Sequence, residues 1–84
     1  MDERQLIGAR IAFARKASRL SQVELGRKIK VSGQTVSNWE TARCLPNASD
    51  IAVLAKTLGC SSDFLLGLSD AFSFPSSGRP MRRT

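Results

Sequence analysis

Histidine and tyrosine are absent from this chain, tryptophan occurs once and cysteine only twice. Without His or Tyr, two of the usual proton-transfer side chains are missing. The seven Asp and Glu residues are scattered, with no close pair apart from Asp2 and Glu3. An enzyme is therefore not expected. Cys44 and Cys60 cannot alone supply the roughly four N, S or O ligands of a zinc site, so no metal or cofactor is expected. A reducing cytosol argues against a disulfide between them. Cys60 reads as a small buried hydrophobe between two helices, and Cys44 as a loop thiol. No apolar run approaches the ~18 residues that span a bilayer. The opening MDERQLIGAR carries acids and lacks an apolar segment, which argues against a secretory signal and leaves the cytoplasm as the expected location.

What is present fits one small helical domain. The chain has 84 residues, 42% of them hydrophobic and 24% charged, the balance of a folded rather than a disordered polypeptide. Thirteen Lys and Arg against seven Asp and Glu give a net charge of +6. Such an excess favours a polyanionic partner, either nucleic acid or an anionic membrane surface. A membrane surface calls for one basic amphipathic helix, whereas the basic residues here are spread over several segments.

Periodicity and capping chemistry predict five helices. The first runs from about Glu3 to Ala17, with Ile7, Ile11, Ala14 and Ser18 facing a core. Leu6, Ala9, Phe13 and Ala17 form a second stripe, rotated by about a third of a turn. That stripe is open between a broad core face and an exposed apolar spot, at Leu6 and Phe13, for a protein partner. Ser21-Gln22-Val23-Glu24 is a capping box and starts a second helix to about Ile29, with Leu25, Gly26 and Ile29 inward. Lys30-Val31 is a turn, Ser32 an N-cap, and Gly33 to Glu40 a third helix. Pro46 closes a loop. Asn47 caps Ala48 to Leu58, where Ile51, Leu54, Ala55 and Leu58 keep an i, i+3, i+4, i+7 stripe, and Gly59 ends that helix. Ser61 caps a short last helix that Gly67 stops. Phe64 and Leu66 are expected in its core, and Leu65 and Leu68 on its surface. The organisation predicted is all-α: a compact five-helix bundle over residues 1–68 with a helix-turn-helix motif, then a flexible tail or linker over residues 69–84, which is rich in Pro, Ser and Gly.

The third helix carries the functional signal. Gly33, Gln34, Ser37 and Asn38 lie at i, i+1, i+4 and i+5, opposite Val36. Exposed amides and a hydroxyl on a helix of a basic domain match the donor–acceptor pattern of base edges in a major groove.

Gln22-x-x-Leu25, Val31-Ser32, Val36-Ser37-x-Trp39-Glu40, Pro46, Leu54-Ala55-x-x-Leu58-Gly59 and Phe64-Leu65-Leu66-Gly67 together resemble the lambda-repressor-like helix-turn-helix domain, also called the Cro or xenobiotic-response-element type. The likeness extends over roughly residues 4 to 68, and VSGQTVSNWE and CSSDFLLG look most like the operator-binding domains of temperate-phage repressors. The resemblance implies a transcriptional regulator bound to double-stranded operator DNA, with the third helix in the major groove. Gln34, Ser37, Asn38 and Gly33 are then the base-contacting positions. Gln22, Ser32, Thr35, Arg10, Arg43 and Lys30 are the phosphate-contacting ones, with Thr35 open to a thymine methyl and Arg10 and Arg43 open to a role as plain surface cations. In the family the residue at Gln22 also braces the neighbouring base contact. Arg15 and Glu40 match a structural ion pair, and Trp39 a packing residue.

Three positions depart from the family pattern. Gly26 stands where Ala is usual, at about 1 kcal/mol of helix propensity. Lys30 stands where Gly is usual, strained by about 1 kcal/mol if φ is positive. Gly33 has no side chain at a base-contacting position, which leaves DNA shape to supply specificity there. The resemblance further implies a homodimer, formed mainly on DNA through Leu65 and Leu68, on a pseudo-palindromic site. For a repressor, the protein partner at Leu6 and Phe13 would be one such as an antirepressor. Related readings are an antitoxin or a restriction–modification controller with the same domain, and a protein-interaction module without DNA binding. Whether residues 69–84 end a short regulator or begin a linker to a further domain stays open.

Overall fold

Every helix of the described chain begins at a polar side chain that accepts a hydrogen bond from a backbone N–H of the first turn. Asp2, Ser21, Ser32, Asn47 and Ser61 accept from Gln5, Glu24, Thr35, Asp50 and Phe64, respectively. These caps satisfy donors that the helix itself leaves orphaned. The computed structural model describes residues 2–71, and the helices are α1 (Glu3–Ala17), α2 (Gln22–Ile29), α3 (Gly33–Glu40), α4 (Ala48–Leu58) and α5 (Ser62–Leu65). Their ends match the boundaries read from caps and breakers. Lys30 (φ 65°) and Gly59 (φ 68°) terminate α2 and α4 in left-handed geometry.

The core gathers Ile11 and Ala14 of α1, Leu25 of α2, Val36 and Trp39 of α3, the α4 stripe, Cys60, and Phe64 and Leu65 of α5. Ile7, Leu20, Ile29 and Val31 close its edges. Cys60 is fully buried and Cys44 exposed, both as free thiols. Burial pushes the Cys60 thiol above its ordinary range, because a thiolate is poorly solvated there.

Several expectations need correction. Leu65, assigned to a partner surface, is 0% exposed and is core, whereas Leu66, assigned to the core, is exposed. The helix is a single turn, so Phe64 and Leu65 both point inward and Leu66 falls at the C-cap, where helical spacing no longer applies. Leu68 is exposed as expected. Ser18 is the C-cap of α1 and exposed rather than a core position. Phe13 is 56% exposed, so the second stripe of α1 is not a broad core face. Its ring lies 5.9 Å from that of Phe64, at the rim of a shallow groove formed with Ala9, Arg10 and Asp70. Leu6 is half-buried and lies against Gly67, away from that groove.

Gly26 also has a different meaning from the expected one. A Cβ there would stand 2.5 Å from the Val31 carbonyl oxygen and 3.0 Å from the Ser32 carbonyl carbon. The left-handed turn at Lys30 folds the start of α3 tightly over α2, and only glycine leaves room for it.

The chain beyond α5 does not leave the bundle at once. After Gly67 (φ 79°) it turns back, and the Arg10 guanidinium donates to the carbonyls of Phe64 (3.3 Å) and Ser69 (3.0 Å) and to the Asp70 carboxylate (2.8 Å). The same guanidinium stacks on the Phe64 ring at 4.3 Å. Residues 72–84, most of the expected tail or linker, lie outside the described residues.

Candidate nucleic-acid interface

α3 is two-faced because its sequence is. Val36 and Trp39 sink into the core, while Gln34 is exposed and Ser37 and Asn38 are half-buried on the other side. The Gln34 side-chain amide donates to the Asn38 side-chain oxygen at 3.0 Å. This i, i+4 pair aligns two planar amides along one strip. A Gln or Asn amide can offer a donor and an acceptor side by side, the pattern an adenine presents in the major groove.

At the entrance to α3 the Ser32 hydroxyl accepts from the Thr35 N–H at 3.0 Å and shares a 3.0 Å hydrogen bond with the Thr35 hydroxyl. Both oxygens therefore sit at the positive end of the helix, where an anion is favoured. At the other end the Asn38 carbonyl accepts from the N–H groups of Arg43 (2.9 Å) and Cys44 (3.2 Å). That double contact folds the following loop back on α3 and holds the backbone of exposed Arg43 beside it. Lys30, also exposed, stands at the turn before α3.

Arg4 joins this loop although the sequence did not single it out. Its guanidinium donates to the Ala42 carbonyl at 3.4 Å, and Ala42 has φ 65°. A non-glycine residue in left-handed geometry carries no obvious sequence mark, so the contact was not legible.

The Gln22 side-chain amide donates to the Glu40 carboxylate at 3.0 Å. The same carboxylate accepts from Arg15 Nε at 2.6 Å and from its terminal nitrogen at 3.1 Å, and Arg15 also donates to the Leu20 carbonyl at 2.8 Å. The side chains of Arg15 and Glu40 are only 11% and 7% exposed. The hydrogen bond to Glu40 raises the Arg15 pKa further, against the opposing effect of burial. This cluster locks α1, the start of α2 and the end of α3 together, the structural role expected of the pair. The first-turn N–H groups of Gln22 and Val23 have no partner inside the helix, so the start of α2 retains donors for an anion.

Two of the expected site residues are packed against other parts of the protein. Arg10 faces α5 and the returning chain, with its guanidinium committed to three acceptors, and does not join the α3 face. Its place in the family pattern gave no hint that Ser69 and Asp70 would fold back upon it. Gly33 is half-buried against α2: a Cβ on it would stand 2.9 Å from Val23 Cγ2. It presents backbone alone, and the neighbouring Val23 is 57% exposed. Sequence periodicity passed over Val23, since an apolar residue just inside a capping box reads as part of the helix start.

Known proteins share this arrangement. A family model described as a helix-turn-helix domain matches residues 6–65. Repressor protein C2 of Salmonella phage P22 is 40% identical over 62 residues, covering 74% of this chain and 29% of the relative. The HTH-type transcriptional regulator DicA of Escherichia coli is 35% identical over 60 residues, covering 71% of this chain and 44% of the relative. The chain thus spans less than half the length of either protein. The crystal structure of the P22 c2 repressor in complex with synthetic operator 9T superposes with a TM-score of 0.72 at 38% identity, covering 77% of this chain and 98% of the other. The chain belongs to the helix-turn-helix domain family, in its lambda-repressor-like, Cro or xenobiotic-response-element branch.

Proposed function

We propose that this domain binds double-stranded DNA in a sequence-specific way as part of a phage- or prophage-type transcriptional repressor acting in the cytoplasm. The observation that carries the reading is the amide strip of α3, Gln34 hydrogen-bonded to Asn38 with Ser37 beside them, on a helix whose opposite face is locked in the core. The operator complex of the similar P22 repressor supports it. In this reading Gln34, Ser37 and Asn38 contact base edges. Ser32, Thr35, Lys30, Arg43 and the start of α2 with Gln22 hold phosphates, which fix register without carrying sequence information. No catalytic step is involved.

The operator is pseudo-palindromic and is bound by two copies, with half-sites about one helical turn, roughly 34 Å, apart. With Leu65 in the core, the dimer surface consists of exposed Leu68 and Leu66, next to a groove lined by Pro46, Ala48, Ile51 and Ala52. So small an apolar surface gives a weak dimer that DNA completes.

Selection of bound duplexes from a random pool tests the proposal. The wild-type domain is expected to enrich a two-fold-related motif, and Gln34→Ala to lose preference at one base pair of each half. Enrichment of no motif by the wild type would refute sequence-specific recognition. An unchanged motif with Gln34→Ala would remove Gln34 from the base contacts.

A further inference from the structure

The geometry points to Val23 as an additional specificity-determining residue, whose isopropyl group reads a thymine methyl in each half-site. The inference rests on the DNA-binding reading above. Among the described residues, Val23 is the only large hydrophobic of α2 or α3 that is exposed. A lone exposed aliphatic is ordinary on a protein surface, but the place of this one is not. It stands beside Gly33, the first residue of α3, with polar Gln22 and Ser32 as chain neighbours of the pair.

The contact with Gly33 is close. A Cβ at residue 33 would come within 2.9 Å of Val23 Cγ2 and 3.3 Å of the Val23 backbone. The space toward which a side chain at 33 would grow is thus filled by the valine. α3 therefore enters with bare backbone, and the apolar surface at that entrance belongs to α2. Gln22, the adjacent polar candidate, has its amide engaged by Glu40 at 3.0 Å, so it does not cover the valine.

β-Branching holds a helical valine in one strongly preferred rotamer, so its methyl groups present a fixed shape rather than an adaptable one. In the major groove the base-pair feature that matches an aliphatic group is the 5-methyl of thymine. Gln34 next to it offers hydrogen bonds and cannot by itself reward that methyl. Val23 and Gln34 then read neighbouring features by different chemistry, and Gly33 is the gap that lets the first of them in.

The test removes methyl groups one at a time. Each thymine of the selected operator half-site is replaced by deoxyuridine, and binding is measured for wild type, Val23→Ala, Val23→Thr and Thr35→Ser. At one thymine the wild type should lose about fourfold per half-site, the size expected for one methyl-sized contact. Val23→Ala should bind the thymine operator about as weakly as wild type binds the uracil one, and should be insensitive to that replacement. Val23→Thr keeps the shape and one methyl, and carries the test if the alanine variant melts at lower temperature. The assignment is overturned if Val23→Ala and Val23→Thr retain full methyl sensitivity at every thymine, or if Thr35→Ser alone abolishes it. Failure of the wild type to enrich any motif would instead sink the underlying DNA-binding reading, an outcome distinct from methyl sensitivity that ignores Val23.

Discussion

The side-chain amide of Gln34 donates to the side-chain oxygen of Asn38 across 3.0 Å, one turn along the exposed face of α3. Each amide thereby fixes the flip of the other before DNA arrives, because a donor must face an acceptor. The bond leaves the Gln34 oxygen and the Asn38 NH2 group for a further partner. The two residues should behave as one recognition unit. Gln34→Ala and Asn38→Ala are each expected to weaken operator binding by roughly 1–3 kcal/mol, with a double variant that loses less than the sum. The slope of log affinity against log salt should stay unchanged, since no phosphate contact is removed. Strict additivity in the binding cycle would show that the pair is not coupled.

Glu40 anchors three elements, and its loss should be felt in stability rather than in base preference. Glu40→Ala would leave the Arg15 guanidinium largely buried without its carboxylate and Gln22 without its acceptor. Breaking one side of such a pair costs about 3 kcal/mol. Arg15→Met combined with Glu40→Leu should recover much of that loss, because no buried charge remains. Urea unfolding of the three proteins separates these outcomes. Equal destabilisation of the single and double variants would contradict the stranded-charge account.

The starts of all five helices were legible because each is set by a polar cap, and glycine marks the ends of α4 and α5. The amide strip was legible for the same reason, since Gln34, Ser37 and Asn38 fall opposite Val36 by spacing alone. What escaped depends on neighbours far along the chain. Arg10 reads from the sequence as a phosphate contact or a surface cation, and neither reading foresees Ser69 and Asp70 folding back on it. Leu65 and Leu66 exchange roles because one helical turn is too short for periodicity to decide a face. Gly26 looked like a propensity defect, and only the crossing of Val31 above it reveals a steric requirement. Val23 gained meaning from the missing side chain at Gly33, a relation between two helices that neither helix announces.

Gly26→Ala should run against the helix-propensity scale. Propensity alone favours alanine by about 1 kcal/mol, yet the added methyl would stand 2.5 Å from the Val31 carbonyl oxygen. Backbone cannot step aside as a flexible side chain can, so overpacking is expected to dominate and destabilise by about 1–3 kcal/mol. Thermal and urea unfolding measure the sign directly. A more stable Gly26→Ala protein would mean that the α2–α3 turn relaxes freely.

Lys30→Gly should split stability from affinity. Lys30 sits at φ 65°, where a side chain is strained, so glycine there is expected to stabilise the fold by up to about 1 kcal/mol. It also removes a cation beside α3. In the proposed complex that lowers the salt slope of operator binding by about one unit. A higher melting midpoint together with a shallower salt dependence is the expected signature. An unchanged slope would take Lys30 out of the phosphate contacts while leaving the backbone argument intact.

The two thiols should react as different species. Cys44 is exposed, so a thiol reagent should modify it in the folded protein, while buried Cys60 should react only through opening of the core. Burial raises the Cys60 pKa above its ordinary 9.0, so the folded state holds that proton more tightly than the unfolded state does. Its contribution to stability is then complete below about pH 9 and is lost as pH rises through the folded value. A Cys60→Ala protein should lack this part of the alkaline loss, although the smaller side chain lowers its stability at neutral pH through the cavity left behind. Labelling at one site in native buffer and at two in denaturant checks the placement. Prompt reaction of both thiols in native buffer would show that the α4–α5 junction is open to solvent, and the alkaline argument would fall with it.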